Sequence, residues 1–195
     1  MKNYRIRVSR NMTHNTIKKK SHQELKSARP SLEELKARRR FPVSVLCEDI
    51  RSLYNVGSIF RTSDGAGIEK LYLCGYTGYP PRPEIDKTAL GSVDGVPWEY
   101  RPNQFEVINE IRKHGYRIVA LEHTNGSIPY TEARYEFPTC LVLGNEVNGI
   151  SDELLSRCDM AVDVPMHGLK QSLNVTVAYG ILVYHIVGTY KKAEA

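Results

Sequence analysis

An α/β architecture, a parallel sheet covered by helices on both faces, is what this sequence predicts, and three observations carry that expectation. Short apolar, β-branched runs of four or five residues recur at intervals of about 20 to 45 residues, as strands buried on both faces do. Segments with helical periodicity lie between them. Several runs end in a glycine or proline turn that leads into a helix start, as a strand feeding a crossover helix requires. The 195 residues suffice for one well-cored main domain and are too few for two ordinary ones. With 41% hydrophobic and 25% charged residues, collagen-like and disordered classes are excluded for the bulk of the chain.

In chain order, residues 1 to about 20 are polar and basic without an apolar period and read as a flexible arm. Two capping boxes follow, Ser21 with Glu24, and Ser31 with Glu34 after Pro30. The second helix is expected to run to Arg40, with Glu34 and Arg38 paired at i, i+4, and to stop at Phe41-Pro42. The chain thus divides into a basic arm with short helices, residues 1–41, and a main domain, residues 42–195. Buried strands are expected at Val43–Cys47, Leu71–Cys74, Arg117–Leu121, Cys140–Leu143 and Ala161–Val164. Helices are expected at Asn55–Gly65, Asn103–His114, Ser151–Cys158 and Ser172–Gly188. Residues 75–102, rich in Pro and Gly, read as one long irregular insertion, and such loops are usually functional or disordered. Its Tyr76, Tyr79, Trp98 and Tyr100 are candidates for stacking on unpaired bases or for ordinary packing. There are no internal repeats.

The net charge of +5 hides an asymmetry. Residues 1–40 hold 13 Lys/Arg against three Glu, a net of +10, which leaves the remainder at −5. A basic arm on a mildly acidic body suits a polyanion, because each cation that neutralises a phosphate releases counterions; a solubility tail is the alternative. The first 23 residues lack Asp and Glu, as organelle transit peptides do, but Ile6, Val8, Met12 and Ile17 make a poor amphipathic helix, so targeting ranks below RNA contact. The longest apolar stretch, Val175–Val187, has 13 residues, against about 20 for a membrane span, so no bilayer crossing is expected. Cys47, Cys74, Cys140 and Cys158 show no zinc-like spacing and read as reduced thiols of a cytoplasmic protein.

Three clusters carry the candidate chemistry. The first is Asn55, Gly57, Arg61 and Asp64. Asn55 is a good helix cap, and a glycine one turn before an arginine leaves space beside the guanidinium for an anion; an exposed Arg61–Asp64 pair is the competing reading. The second runs from Leu141 through Gly144, Asn145, Glu146 and Gly149 to Ser151, a strand, turn and capped helix placed where open sheets bind ligands. Ile150-Ser151 stands where a phosphate loop needs Lys-Ser/Thr, and Glu146 would repel a dinucleotide's pyrophosphate, so a ligand without phosphate is expected. The third runs from Val162 through Pro165, Met166, Gly168, Ser172, Leu173 and Asn174 to Val175. Its free backbone groups can grip a planar heterocycle between Met166 and Leu173; alternatively Ser172 is only a helix cap and Leu173 only core. His167 has no visible partner and reads as surface.

Together, Asn55-Gly57-Arg61, Gly144-Asn145-Glu146-Gly149 and Pro165-Met166-Gly168-Ser172-Leu173-Asn174-Val175 resemble the three motifs of the SpoU or TrmH-like RNA ribose 2′-O-methyltransferases of the SPOUT superfamily. The resemblance covers roughly residues 42–190. It implies a C-terminal deep trefoil knot, a homodimer, and S-adenosylmethionine bound at Leu121, Gly144, Val164, Met166 and Leu173, mainly through backbone and apolar contacts. It also implies methyl transfer to a ribose 2′-hydroxyl of structured RNA. Arg61 would be central, and Asn55, Glu146, Ser172 and Asn174 would orient it, the ribose and the loops. The compact body favours tRNA over ribosomal RNA by analogy. A noncatalytic RNA-binding factor on the same fold has no need of the full set of polar residues, and a nucleotide-dependent Rossmann-like enzyme would need the phosphate-loop lysine or the GxGxxG that this sequence lacks.

Removing residues 1–30 is expected to weaken RNA affinity and to flatten its dependence on salt. RNA titrations at several salt concentrations check this, and an unchanged slope would reduce the arm to a tail or targeting segment.

Overall fold

A computed structural model describes residues 17–194; residues 1–16, most of the stretch expected to be a flexible arm, lie outside the described residues. Helices α1 (His22–Ser27) and α2 (Leu32–Ala37) each open with the expected reciprocal capping box and bury no residue. Helix α2 ends three residues before the expected Arg40, and no Glu34–Arg38 ion pair forms among the described residues. The cause is the pull of the body on the following chain. Arg40 donates to the carbonyls of Ile68 (3.3 Å) and Gly95 (2.6 Å), and Phe41 N–H donates to Gly67 O (3.0 Å), so residues 38–40 are drawn out of the helix.

Seven strands form one wholly parallel sheet in the order β3-β2-β1-β6-β4-β7-β5: β1 (Phe41–Glu48), β2 (Ile68–Cys74), β3 (Trp98–Arg101), β4 (Arg117–Leu121), β5 (Ile128–Pro129), β6 (Thr139–Leu143) and β7 (Met160–Asp163). The five expected strands are all present. The two unforeseen ones, β3 and β5, are the sheet edges. With one neighbour each they are at most half-buried and carry no continuous apolar run.

Consecutive residues of the inner strands feed opposite cores. Val45, Leu141 and Val119 pack with Ile59, Phe60, Tyr179, Leu182 and Ile186 of α3 (Leu53–Ala66) and α7 (Val175–Ala193). Leu46, Val142 and Ile118 pack with Ile108, Ile111 and Leu154 of α5 (Gln104–Lys113) and α6 (Asp152–Leu155). Within the long insertion, α4 (Pro83–Ala89) and β3 replace the expected irregular chain, because Pro83 sits in the first turn, where a proline starts a helix rather than breaking one. The Cys47, Cys74 and Cys140 thiols are buried, and burial raises their pKa, that of Cys74 to about 12. They behave as small hydrophobes.

Three local expectations are corrected. Helix α3 is capped by Ser52, whose hydroxyl accepts from Asn55 N–H (3.4 Å), so Asn55 lies inside the first turn. Helix α7 is capped by Asn174 rather than Ser172 and extends past Gly188 to Ala193. Gly57 makes room for α4 and not for an anion beside Arg61: a Cβ there would come within 3.0 Å of Thr88 Oγ1 and Ile85 O. Helices α3 and α7 run side by side, joined by a buried hydrogen bond between Ser63 Oγ and Tyr179 OH (2.8 Å). Both start at the C-terminal edge of the strands. Among the described residues no helix is long and apolar enough to cross a membrane.

Gly57→Ala is expected to lower the unfolding free energy by about 1–3 kcal/mol, as overpacking does, although alanine is the better helix former. Denaturant unfolding followed by circular dichroism checks it.

Candidate active site

The loops after β4, β6 and β7 and the start of α7 enclose a cavity of about 170 Å³ at the C-terminal edge, where open parallel sheets bind ligands. Its shape follows from the turn after β6. Asn145 and Gly149 exchange backbone hydrogen bonds (3.0 and 2.9 Å), and Asn145 Oδ1 accepts from the N–H groups of Val147 (2.9 Å) and Asn148 (3.0 Å). Gly149 takes φ +69°, and a Cβ on Gly144 would come within 3.0 Å of the Gly149–Ile150 peptide. Both glycines therefore serve the close approach of chain to chain.

The backbone amides that would grip a phosphate here are already occupied. Ile150 N–H donates to Glu122 Oε2 (2.9 Å), and Ser151 N–H to Glu48 Oε2 (2.8 Å). Across the cleft, the N–H groups of Arg51 (2.8 Å) and Ser52 (3.0 Å) donate to Glu146. A helix entrance attracts anions through free donors, and at both entrances carboxylates of the chain take the amides of the cap residue and of the residue before it. Glu122, Glu146 and Asp163 line the cavity, and the ionisable base among the lining residues is His123, whose Nδ1 is 3.9 Å from Asp163 Oδ2. This acceptor-rich lining disfavours phosphate and suits a neutral or cationic ligand rich in hydrogen-bond donors.

Glu146 also joins the three sequence clusters. Asn55 Nδ2 donates to Glu146 Oε1 (2.6 Å), Asn174 Nδ2 donates to Asn55 Oδ1 (3.3 Å), and Asn174 Oδ1 accepts from Thr176 N–H (2.8 Å) to cap α7. Desolvation pushes the Glu146 carboxyl up, but the donors of Arg51, Ser52 and Asn55 outweigh it and hold the pKa below the ordinary glutamate value. Glu146 is thus an anion at neutral pH.

Leu121, Gly144, Val164, Leu173, Ser172 and Glu146 line the one cavity; Asn55 bonds to Glu146 at its rim, and Asn174 bonds to Asn55. Met166 is half-buried outside that lining. Arg61 is exposed on α3, also outside the lining, with no hydrogen bond or ion pair among the described residues. The alternative Arg61–Asp64 pair does not form. Instead Asp64 is half-buried, its carboxyl pushed up by burial against the opposing pull of Arg40 and Arg29. Glu122 and Asp163 escape sequence reasoning; the available signal was an acid at the C-terminal end of a strand. Glu48 and the side chain of Asn145 are buried polar groups whose roles show only in three dimensions.

A model of the SpoU rRNA Methylase family matches residues 42–184. The chain belongs to that family. A tRNA (guanosine(18)-2′-O)-methyltransferase of Aquifex aeolicus is 34% identical over 154 residues, covering 78% of this chain and 72% of the relative. The enzyme of the same name from Thermus thermophilus is 30% identical over 156 residues, covering 80% and 79%. Among solved structures, the A. aeolicus TrmH/SpoU tRNA modifying enzyme superposes with a TM-score of 0.75 at 30% identity, over 84% of both chains. The SpoU methyltransferase AviRb of Streptomyces viridochromogenes, in complex with AdoMet, gives 0.71 at 28% identity, over 82% of this chain and 62% of that one. As a SpoU-family member, this chain is an S-adenosylmethionine-dependent RNA methyltransferase. The cavity fits that cofactor, which carries a sulfonium and no phosphate.

Glu146→Gln is expected to destabilise the chain at neutral pH, because an amide oxygen accepts less strongly than a carboxylate and its NH₂ opposes the donors. A lowered folded-state pKa contributes stability above the unfolded value, and that contribution is lost as pH falls through the folded one. The wild-type advantage should therefore shrink towards acid pH, which paired denaturation curves between neutral pH and pH values below the ordinary glutamate range will show.

Proposed function

We propose that this SpoU-family enzyme transfers the methyl group of S-adenosylmethionine to a ribose 2′-hydroxyl of tRNA. The observation that carries the reading is the hydrogen-bonded chain Glu146–Asn55–Asn174 at the rim of an acidic cavity whose phosphate-binding amides are already filled. The relatives named as tRNA (guanosine(18)-2′-O)-methyltransferases support the choice of RNA. Leu121, Gly144, Val164 and Leu173 would hold the cofactor, with Met166 closing from the loop that follows β7. Bound there, the cofactor supplies an electrophilic methyl on sulfur.

The chain's own tasks are alignment and charge. A ribose hydroxyl is a poor nucleophile at neutral pH, so its proton must leave as the O–CH₃ bond forms and the S–CH₃ bond breaks. Arg61 is not a base, because guanidinium stays protonated in proteins. In this reading it grips a substrate phosphate and stabilises the developing alkoxide, while that phosphate or a neighbour takes the proton. Asn55, Glu146, Ser172 and Asn174 orient the ribose and the loops.

The reading extends to the architecture. Residues 1–41 act as a basic arm and residues 42–195 as the methyltransferase domain. The chain from Val164 to Asn174 threads the preceding loop in a trefoil knot; the placement of β4 between β6 and β7 and the shared cavity of their loops support it. A homodimer is supported by Val177, Ile181, Tyr184 and Gly188 on one stripe of α7, of which Val177 and Tyr184 are 51% and 55% exposed among the described residues. A reducing cytoplasmic setting agrees with four unbridged cysteines.

Incubation with labelled S-adenosylmethionine and separate tRNA and ribosomal RNA pools, followed by nucleoside analysis, tests the reading. A 2′-O-methylated nucleoside from tRNA is expected, and one from ribosomal RNA alone would move the substrate. Arg61→Ala should abolish this turnover and leave cofactor affinity nearly intact by calorimetry; loss of cofactor affinity would overturn its assigned role.

A further inference from the structure

Of the four aromatic residues in the segment after β2, three are spent within the protein. Trp98 packs edge-on against Phe60 (5.9 Å between ring centroids). Tyr100 donates its hydroxyl to Gly75 O (2.8 Å) and lies against Tyr79 at 4.3 Å with a 31° tilt. Tyr76 differs: its side chain makes no aromatic pair among the described residues, and it is 61% exposed.

Exposure alone would describe an ordinary surface tyrosine, but the backbone around Tyr76 is held on every side. Its N–H donates to Asp49 Oδ1 (2.8 Å). Gly75 before it takes φ +62°, and a Cβ there would come within 3.0 Å of the Asp49 carboxylate. Asp49 itself takes φ +56°, a conformation uncommon outside glycine. Thr77 after it is 1% exposed, and its hydroxyl donates to Cys47 O (3.2 Å) and accepts from Ile50 N–H (2.9 Å). The phenol oxygen accepts from Asn145 Nδ2 (2.7 Å), and Asn145 lines the cavity. With its one polar atom so engaged, the ring keeps an exposed apolar surface beside the cavity wall.

We infer that Tyr76 is an RNA-positioning residue, whose ring stacks on an unpaired base of the substrate next to the nucleotide presented to the cavity. The inference rests on the RNA reading above. A ring on so firmly held a backbone suits stacking, since less conformational freedom remains to be lost on binding. The surroundings favour RNA over an apolar protein partner: exposed Arg51 lies two residues beyond Asp49, and Arg61 lies along the helix that begins there, both without ion pairs among the described residues. Stacking on an aromatic ring tolerates any base, so Tyr76 would fix the position of the strand rather than read its sequence.

The test compares the full chain with Tyr76→Ala, Tyr76→Phe and Tyr76→Trp. Binding of a fluorescein-labelled tRNA transcript pool is followed by anisotropy, and binding of S-adenosylmethionine by calorimetry. Tyr76→Ala should weaken RNA binding about tenfold and leave cofactor affinity unchanged, while Phe and Trp should restore RNA binding to within about twofold, because they keep the ring and lose only the bond to Asn145. A Phe variant as weak as the Ala variant would place the effect in the Asn145 bond and overturn the inference. Unchanged RNA binding in the Ala variant, or loss of both ligands together, would overturn it too. Failure of the RNA methylation reading would show separately, as a wild-type chain that transfers no methyl group.

Discussion

Four backbone N–H groups at the C-terminal edge of the sheet, those of Arg51, Ser52, Ile150 and Ser151, end on the carboxylates of Glu146, Glu122 and Glu48, and the positions of the functional loops follow from these bonds. Each such donor left unpaired in a closed site would cost about 1–3 kcal/mol, and a charged acceptor makes a bond roughly twice as strong as a neutral one. Glu122 joins the end of β4 to the turn after β6, Glu48 joins the end of β1 to the start of α6, and Glu146 joins that turn to the start of α3. The sheet therefore sets the spacing of the strand ends, and the carboxylates convert that spacing into a cavity wall.

The same bonds explain why glycine is needed where it is. Gly144 and Gly149 sit in a turn whose two limbs meet each other and the Glu122 carboxylate, with no space for a Cβ on either. Gly57 has the corresponding role in the next layer out, where α4 lies on α3 and closes the flank of the helix that carries Asn55 and Arg61. A spacing reminiscent of a phosphate loop thus has a packing cause. The sequence already argued against phosphate, from Glu146 and the missing lysine, and the occupied amides supply the physical reason.

What could be read in advance divides along physical lines. Strands β1, β2, β4, β6 and β7 were legible because burial on two faces writes an apolar run, whereas β3 and β5 carry the mixed pattern of an edge. Helix α4 was hidden by Pro83, whose meaning changes from breaker to starter with its position in the helix. The early end of α2 depends on Arg40 reaching carbonyls 28 and 55 residues away, which no local pattern records. In the site, Asn55, Glu146 and Asn174 stood out together because each sits in a cluster of glycines and asparagines. Glu122, Asp163 and Glu48 are single acids after apolar runs, and in one dimension they look like any solvated carboxylate. The expectation of a knot came from family resemblance alone, since chain-connectivity rules disfavour knots.

The charge distribution makes one device of the cavity and its surroundings. Two unit charges 4 Å apart at the protein surface interact by about 4 kcal/mol at an effective dielectric constant of 20. A cavity lined by Glu122, Glu146 and Asp163 therefore opposes entry of a phosphate while it favours a sulfonium. Outside it, Arg51 and Arg61 stand exposed, and in the proposed reading they take up the backbone that the cavity repels. A polyanion held by the outer cations and refused by the inner acids can offer the cavity only an uncharged group. On a ribonucleotide, the uncharged nucleophile closest to the phosphate is the ribose 2′-hydroxyl. In the proposed reading, the partition of charge that disfavours the nucleotide-binding alternatives thus also favours the 2′-hydroxyl as the group that is methylated.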